Sequence, residues 1–305
     1  MRYTPSMPQD PWPELVLEEW RATRDTLHMW MQVVGKIRLF RSDSENHYWH
    51  VALYVTPRGL TTSVIPDGTR TFSIEFDFLE HSLSITTSDG MAAGFPLEPM
   101  AVADFYARLM EALGRLGIEV GITTFPVETD ITERFDEDRV HASYDPEAVS
   151  RVHQVLVQVD RVLRRFRGEF MGKQSPVHFF WGAFDLALTR FSGRRAPERP
   201  DADSVTRESY SHEVHSVGWW PGSGEMTEAA FYAYAAPPPE GFATADVEPA
   251  AARWSDTLGE FVLPYEAVRT ADDPEEAVLA FCRSTWNAAA TLGGWDRTAL
   301  ERRPS

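Results

Sequence analysis

The order of elements in this chain repeats, and the repeat constrains the fold more than any single motif. Residues 14–34 place apolar and aromatic side chains at helical spacing, with Gly35 as a stop. Lys36, a polar loop and the aromatic run HYWHVALYVT follow, and that run reads as a strand. Residues 145–171 give a second long helix, with Asp145 as N-cap and Pro146 in its first turn. Gly172-Lys173 and the aromatic strand or hairpin VHFFWGAFDLALTRFSGR come next. Aligning Gly35-Lys36 with Gly172-Lys173 sets His47-Tyr48-Trp49 against His178-Phe179-Phe180. Such order suggests an internal duplication.

Both copies continue with strands and close with a helix. LTTSVIP, RTFSIEFDF and SLSITTS read as strands; in the second, Phe72, Ile74, Phe76 and Phe78 share one face. Residues 99–116 form an amphipathic helix, and IEVGITTFP reads as a further strand. In the second copy SHEVHSVGWWP, AAFYAYAA and TLGEFVLP are strands, and residues 274–292 close the unit before Gly293-Gly294. The expected fold is α+β: two helix–four-strand–helix halves, 1–135 and 136–305, in one compact unit. Their sheets are mostly antiparallel, with helices packed on the outside. A cleft between halves is the expected ligand site. The segments 126–145, 195–209 and 237–250 read as long loops.

Composition narrows the function. The net charge is 29 − 46 = −17. That disfavours duplex nucleic acid and anionic membrane surfaces as partners. One cysteine, Cys282, excludes an internal disulfide framework. There is no apolar run of about 18 residues and no secretory leader at the start of the chain, so a cytoplasmic location is expected. The absence of Walker, G-x-S-x-G and G-x-G-x-x-G patterns disfavours the chemistries they support.

Candidate site residues fall in three groups. The stretch 175–194 carries His178, Trp181, Asp185, Arg190 and Arg194 in an apolar background, where charges need partners. A regular strand puts His178 and Arg190 on one face and Asp185 on the other; a bulge at Gly182 brings His178 and Asp185 together. The structural alternative is a buried pair of Asp185 with Arg190 or Arg194. Residues 209–222 add His212, Glu213, His215, Trp219 and Trp220, with Glu213 and His215 on one strand face and His212 on the other. Lys36 and Lys173 are the only lysines in an arginine-rich chain. An ammonium can hold an anion or form a Schiff base; at a helix end it can also simply offset the dipole.

GKQSPVHFFWGAFDLALTRFSGR, SYSHEVHSVGWWPG and TLHMWMQVVGKIR…NHYWHVALYVTPRGLTT together resemble a bacterial domain-of-unknown-function family, number 5996. The resemblance spans nearly the whole chain, with His50 and Ala183 as local departures. It implies a single-family protein and no catalytic assignment.

The resulting expectation is a small-molecule enzyme acting on an anionic or aromatic metabolite. His178 and His212 are the acid–base candidates, tuned by Asp185 and Glu213. Lys36, Lys173, Arg190 and Arg194 would hold the anion, with Trp181, Trp219 and Trp220 as apolar walls. No cofactor is expected. The alternatives are a non-catalytic ligand-binding or sensor protein, and an enzyme holding a divalent transition metal on His178, His212, Glu213 and His215. The sequence leaves the oligomeric state open.

Overall fold

The computed structural model describes residues 10–223 and 228–302. The leader reading rests on residues 1–15, of which 1–9 lie outside the described residues. Helix α1 (Leu17–Arg41) is followed by a 3-10 turn (Asn46–Val51). Strands β1 (Tyr54–Val55), β2 (Gly59–Thr61), β3 (Ile65–Asp67), β4 (Arg70–Asp77), β5 (Ser82–Thr87) and β6 (Ala92–Pro96) come next, then α2 (Val102–Arg115). The second part opens with α3 (Pro146–Arg167), β7 (His178–Phe180), β8 (Asp185–Arg195) and α4 (Ser204–Ser209). It continues with β9 (His212–Trp220), β10 (Ala230–Ala236), β11 (Arg253–Ser255) and β12 (Glu260–Pro264). It ends with α5 (Tyr265–Arg269), α6 (Pro274–Leu292) and α7 (Arg297–Leu300).

There are two antiparallel six-stranded sheets rather than four strands per half. The first runs β1-β2-β4-β5-β6, with β3 also paired to β4; the second runs β11-β12-β10-β9-β8-β7. A reciprocal backbone bridge between Leu53 and Phe179, 2.9 Å each way, joins the edge of one to the edge of the other. Helix–sheet–helix order therefore recurs, but the residue-level correspondence does not. Gly35-Lys36 lies inside α1, whereas Gly172-Lys173 follows α3. His47-Tyr48-Trp49 forms a turn, whereas His178–Phe180 is a strand.

The expectation of external helices fails for α1. Every residue from Thr26 to Arg38 is buried. Trp30 stacks on Phe105 of α2, with centroids 4.8 Å apart. A buried helix must satisfy its polar side chains internally. His28, Gln32 and Lys36, spaced four apart, form one polar stripe. His28 Nε2 donates to the carbonyls of Trp181 and Gly182. Gln32 bonds the backbone of Val127 in both directions, and Lys36 Nζ donates to Thr123 Oγ1 at 3.0 Å. This stripe fastens residues 123–127, so IEVGITTFP is not a strand.

Several local readings stand and one does not. Asp145 accepts from the backbone N–H groups of Glu147 and Ala148 at the start of α3, and Gly293 ends α6. Phe72, Ile74 and Phe76 are buried in alternation along β4. The segment 195–209, read as loop, contains α4, whose first turn Asp203 caps. No helix among the described residues is long and apolar enough to cross a membrane.

Candidate functional site

The register of the second sheet sorts the expected site residues onto two faces. His178 pairs with Ala187 and Phe180 with Asp185 across a turn at residues 181–184. Directly paired residues share a face, so His178 and Asp185 lie together. Arg190 pairs with His215 on the opposite face, which corrects the regular-strand reading. Alternation along β9 places His212 with Val214 and Ser216, on the His178 face, while Glu213 and His215 point the other way.

The opposite face packs against helices. Arg190 is 1 % exposed, bonds the Phe166 carbonyl, and lies over the rings of Phe166, Phe170 and Trp286. It is neither paired with Asp185 nor open to a ligand. His215 is buried against Thr285 of α6, and Trp219 is fully buried. Arg194 pairs with Glu213 and donates to the Gly293 and Gly294 carbonyls, closing the C-terminal end of α6. Lys36 is taken up by Thr123. The metal set therefore does not converge: Glu213 and His215 are separated by the sheet from His178 and His212. No group of three or more metal-binding side chains occurs among the described residues.

The His178 face carries two constellations. In the first, Lys173 Nζ lies 2.6 Å from His47 Nε2. His47 Nδ1 lies 3.1 Å from the Glu208 carbonyl oxygen, which can only accept, so Nδ1 carries the proton. Nε2 of the neutral ring is then a bare acceptor, and the lysine donates to it. His212 meets His47 edge-on, with centroids 5.6 Å apart. The lysine nitrogen is 5.6 Å from the Trp49 ring and 5.1 Å from that of Phe191. Arg195 pairs across the strand with His212. Lys173 is exposed, His212 half-buried and His47 buried. Burial lowers the pKa of all three; Lys173 further depresses both imidazoles.

An unusual backbone delivers His47. His47 and Tyr48 both adopt left-handed conformations, with φ of 59° and 58°. Neither is glycine, and such conformations cost about 1–3 kcal/mol each, so neighbouring structure must hold them. Glu208 does so by accepting the His47 backbone N–H at 3.1 Å. Ser209 and Ser204 bond His47 and Tyr48 from the same helix, α4. This contact explains why an aromatic, β-branched run is a turn: tertiary anchoring overrides strand propensity. His47 and Trp49 were missed as site residues because their role comes from that backbone, not from spacing.

The cluster continues inward from Trp49. His178 is fully buried, 5.8 Å from Trp49 and 5.5 Å from Tyr54 between centroids. Burial and the charge of Arg38 push its pKa down to about 3, so it is a neutral imidazole rather than a base working near pH 7. Arg38 is itself 5 % exposed, over the Tyr54 ring and bonded to the His50 carbonyl.

The second constellation is acidic. The Tyr232 hydroxyl donates to Asp185. Burial lifts Asp185 to about 7 against that hydrogen bond, and lifts Glu260 to about 7 with help from Asp185. Glu128 is also raised by burial, and a side chain at Gly182 would collide with it. Trp220 is half-buried on this face; Trp181 instead donates to the Val51 carbonyl at 2.7 Å. His178 and Asp185 thus share a face, but Asp185 is engaged by Tyr232 and is not the group that tunes His178.

Two cavities lie away from the cationic cluster. One, of about 500 Å³, is lined by Asp10, His81, Glu147 and Arg151 among others, at the start of α3. A smaller one, of about 200 Å³, is lined by Arg194, Glu213, the prolines 237–239 and Trp295. Their charged lining residues include both signs, whereas Lys173 has no carboxylate partner among the described residues. The chemistry therefore favours the lysine–histidine cluster over cavity size.

A protein family of unknown function, DUF5996, matches residues 12–302. No curated protein and no solved structure matches the chain.

Proposed function

The chain belongs to DUF5996, a family of unknown function, and we propose that it is a cytoplasmic, bacterial small-molecule enzyme whose anionic substrate is taken at the Lys173–His47–His212 cluster. The observation that carries this reading is the 2.6 Å contact between Lys173 and a neutral histidine, with no carboxylate paired to the lysine among the described residues. In a chain of net charge −17, an ammonium with no ion pair among the described residues, beside two imidazoles of which His212 also feels Arg195, is a local reversal of sign. An incoming carboxylate or phosphate supplies the missing charge. The site joins the two halves, since His47 and Trp49 come from the first and the remaining groups from the second.

The same geometry supports acid–base work. His212 starts as a neutral imidazole, because burial and the neighbouring cations disfavour its charged form. An anion bound beside it opposes those cations and raises its proton affinity. His212 can then take a proton from bound substrate and return it. Trp49 and Phe191 form apolar walls suited to a planar ligand.

A thermal-shift panel of small carboxylates and phosphates tests the reading. The expected result is an anion that raises Tm of the wild-type protein and does nothing for Lys173→Met. Equal stabilisation of both proteins would remove Lys173 from the site. Single-turnover analysis of the anion found then separates enzyme from binding protein: product formation that His212→Asn abolishes supports catalysis, and saturable binding without product overturns it.

A further inference from the structure

We infer that Lys173 is a carbonyl-reactive amine, and that the substrate class of the site is a small α-oxo acid held through an imine on Nζ. The inference rests on the anion reading above and adds a covalent step to it. The chain has two lysines, and their surroundings differ. Lys36 is enclosed in α1 and committed to Thr123. Lys173 is exposed, carries no ion pair among the described residues, and touches only an imidazole and two aromatic rings.

Imine formation requires an uncharged amine, so the ammonium must lose a proton to a nearby base. His47 Nε2 is that base: its ring tautomer is fixed by the Glu208 carbonyl, its lone pair faces Nζ, and its position is held by the clamped left-handed turn. Burial lowers the Lys173 pKa, while the faces of Trp49 and Phe191 attract the ammonium, so a base in contact with Nζ is needed to take the proton. A carboxylate ligand would instead have pinned the charge. His212 packs against His47 and feels the charges of both Lys173 and Arg195, and the carboxylate of an α-oxo acid can be received there.

The step balances without a further reactant. Lys173 passes a proton to His47, and the Nζ lone pair bonds the carbonyl carbon as the carbonyl π pair moves to oxygen. His47 returns that proton to the oxygen, and His212, neutral at the start, takes a second proton from the nitrogen, which leaves a neutral carbinolamine. His212 then gives its proton to the carbinolamine hydroxyl, the nitrogen lone pair forms the C=N bond, and water leaves with the C–O bonding pair, so ammonium plus oxo acid yields a protonated imine plus water. Nothing is oxidised or reduced.

Glyoxylate with sodium cyanoborohydride is the probe, since reduction converts the imine into a stable carboxymethyl-lysine that peptide mapping locates. The rate at Lys173 is compared in the folded full chain and in the same chain unfolded in urea, where both lysines are ordinary amines. We expect labelling of Lys173 in the folded protein to be at least about tenfold faster than in urea, and His47→Asn to remove that gain. Asparagine tolerates the left-handed backbone, so this variant keeps the turn. Labelling of folded Lys173 no faster than in urea overturns the inference, whatever the variant does. Oxalate, which cannot form an imine, separates this from failure of the anion reading. Oxalate stabilisation that depends on Lys173, without accelerated labelling, overturns the imine and leaves the anion site standing. Neither stabilisation nor acceleration overturns both.

Discussion

The indole of Trp181 lies against the backbone of Gly35, and its Nε1 donates to the carbonyl of Val51. One side chain from the β7–β8 turn therefore binds the buried helix α1 to the turn that carries His47. A Cβ at position 35 would fall among ring atoms Cγ, Cδ1 and Nε1 of Trp181.

Gly35→Ala tests that relationship. In an isolated helix the substitution would gain about 1 kcal/mol of helix propensity. Here the overlap with a buried ring must win, because a well-packed interior has no slack; a net loss of about 1–3 kcal/mol is expected. Urea unfolding measures it. A variant as stable as the wild type would mean that Trp181 moves aside without cost.

Gly35 also marks where the sequence was readable and where it was not. A glycine after an apolar helical stretch resembles a stop, and only the partner across the interface shows it to be a notch. Caps written in neighbouring residues, such as Asp145 with Pro146, were legible because their bonds are local. So was the alternation of Phe72, Ile74 and Phe76, which needs only the pleat. Lys173 stood out because it is one of two lysines, but its partner His47 did not, since a turn held from α4, some 160 residues away, leaves no trace in spacing. Arg190 looked like a ligand contact because the aromatic rings that enclose it come from α3, α6 and the segment after α3.

Acid should weaken the fold through three buried imidazoles. Burial lowers His28 to about 4 and His178 and His215 to about 3. Their pKa values in the unfolded chain are about 6.5, so the unfolded state binds protons first. The stability these neutral rings allow is complete above about pH 6.5 and is lost as pH falls towards the folded values. Each group contributes a slope of about 1.4 kcal/mol per pH unit below pH 6. His215→Gln removes one of them, and stability measured between pH 6 and 4.5 should fall by that much less per unit. A slope identical to wild type would show that His215 does not titrate on unfolding.

The acidic constellation acts in the opposite sense. Asp185 is held near 7 in the folded chain, above its ordinary value of about 3.9. A raised carboxyl gives stability that is complete below the unfolded value and lost as pH rises to about 7. Asp185→Asn keeps an acceptor for the Tyr232 hydroxyl while removing the charge. It should leave stability near pH 4 little changed and raise it at pH 8, by about 1–3 kcal/mol. Denaturant midpoints at the two pH values check this; a variant weaker at pH 8 would mean that the ionised carboxylate is a net stabilising group.

Arg194 and Glu213 separate structural from functional charge. Arg194 reaches the Gly293 carbonyl at 2.6 Å and pairs with Glu213, which also accepts from Ser192. The arginine side chain is 50 % exposed, so the ion pair itself is screened and worth little. Its larger contribution is to the open carbonyls at the end of α6, where a cation meets the negative pole of the helix. Arg194→Ala is therefore expected to cost about 0.5–1 kcal/mol and to leave any anion affinity that depends on Lys173 unchanged. Glu213→Gln keeps the Ser192 bond and should cost less. Measuring Tm and anion affinity on the same two variants decides the matter: lost affinity with unchanged stability would return this pair to the site, whereas lost stability with unchanged affinity places it in the scaffold beneath it.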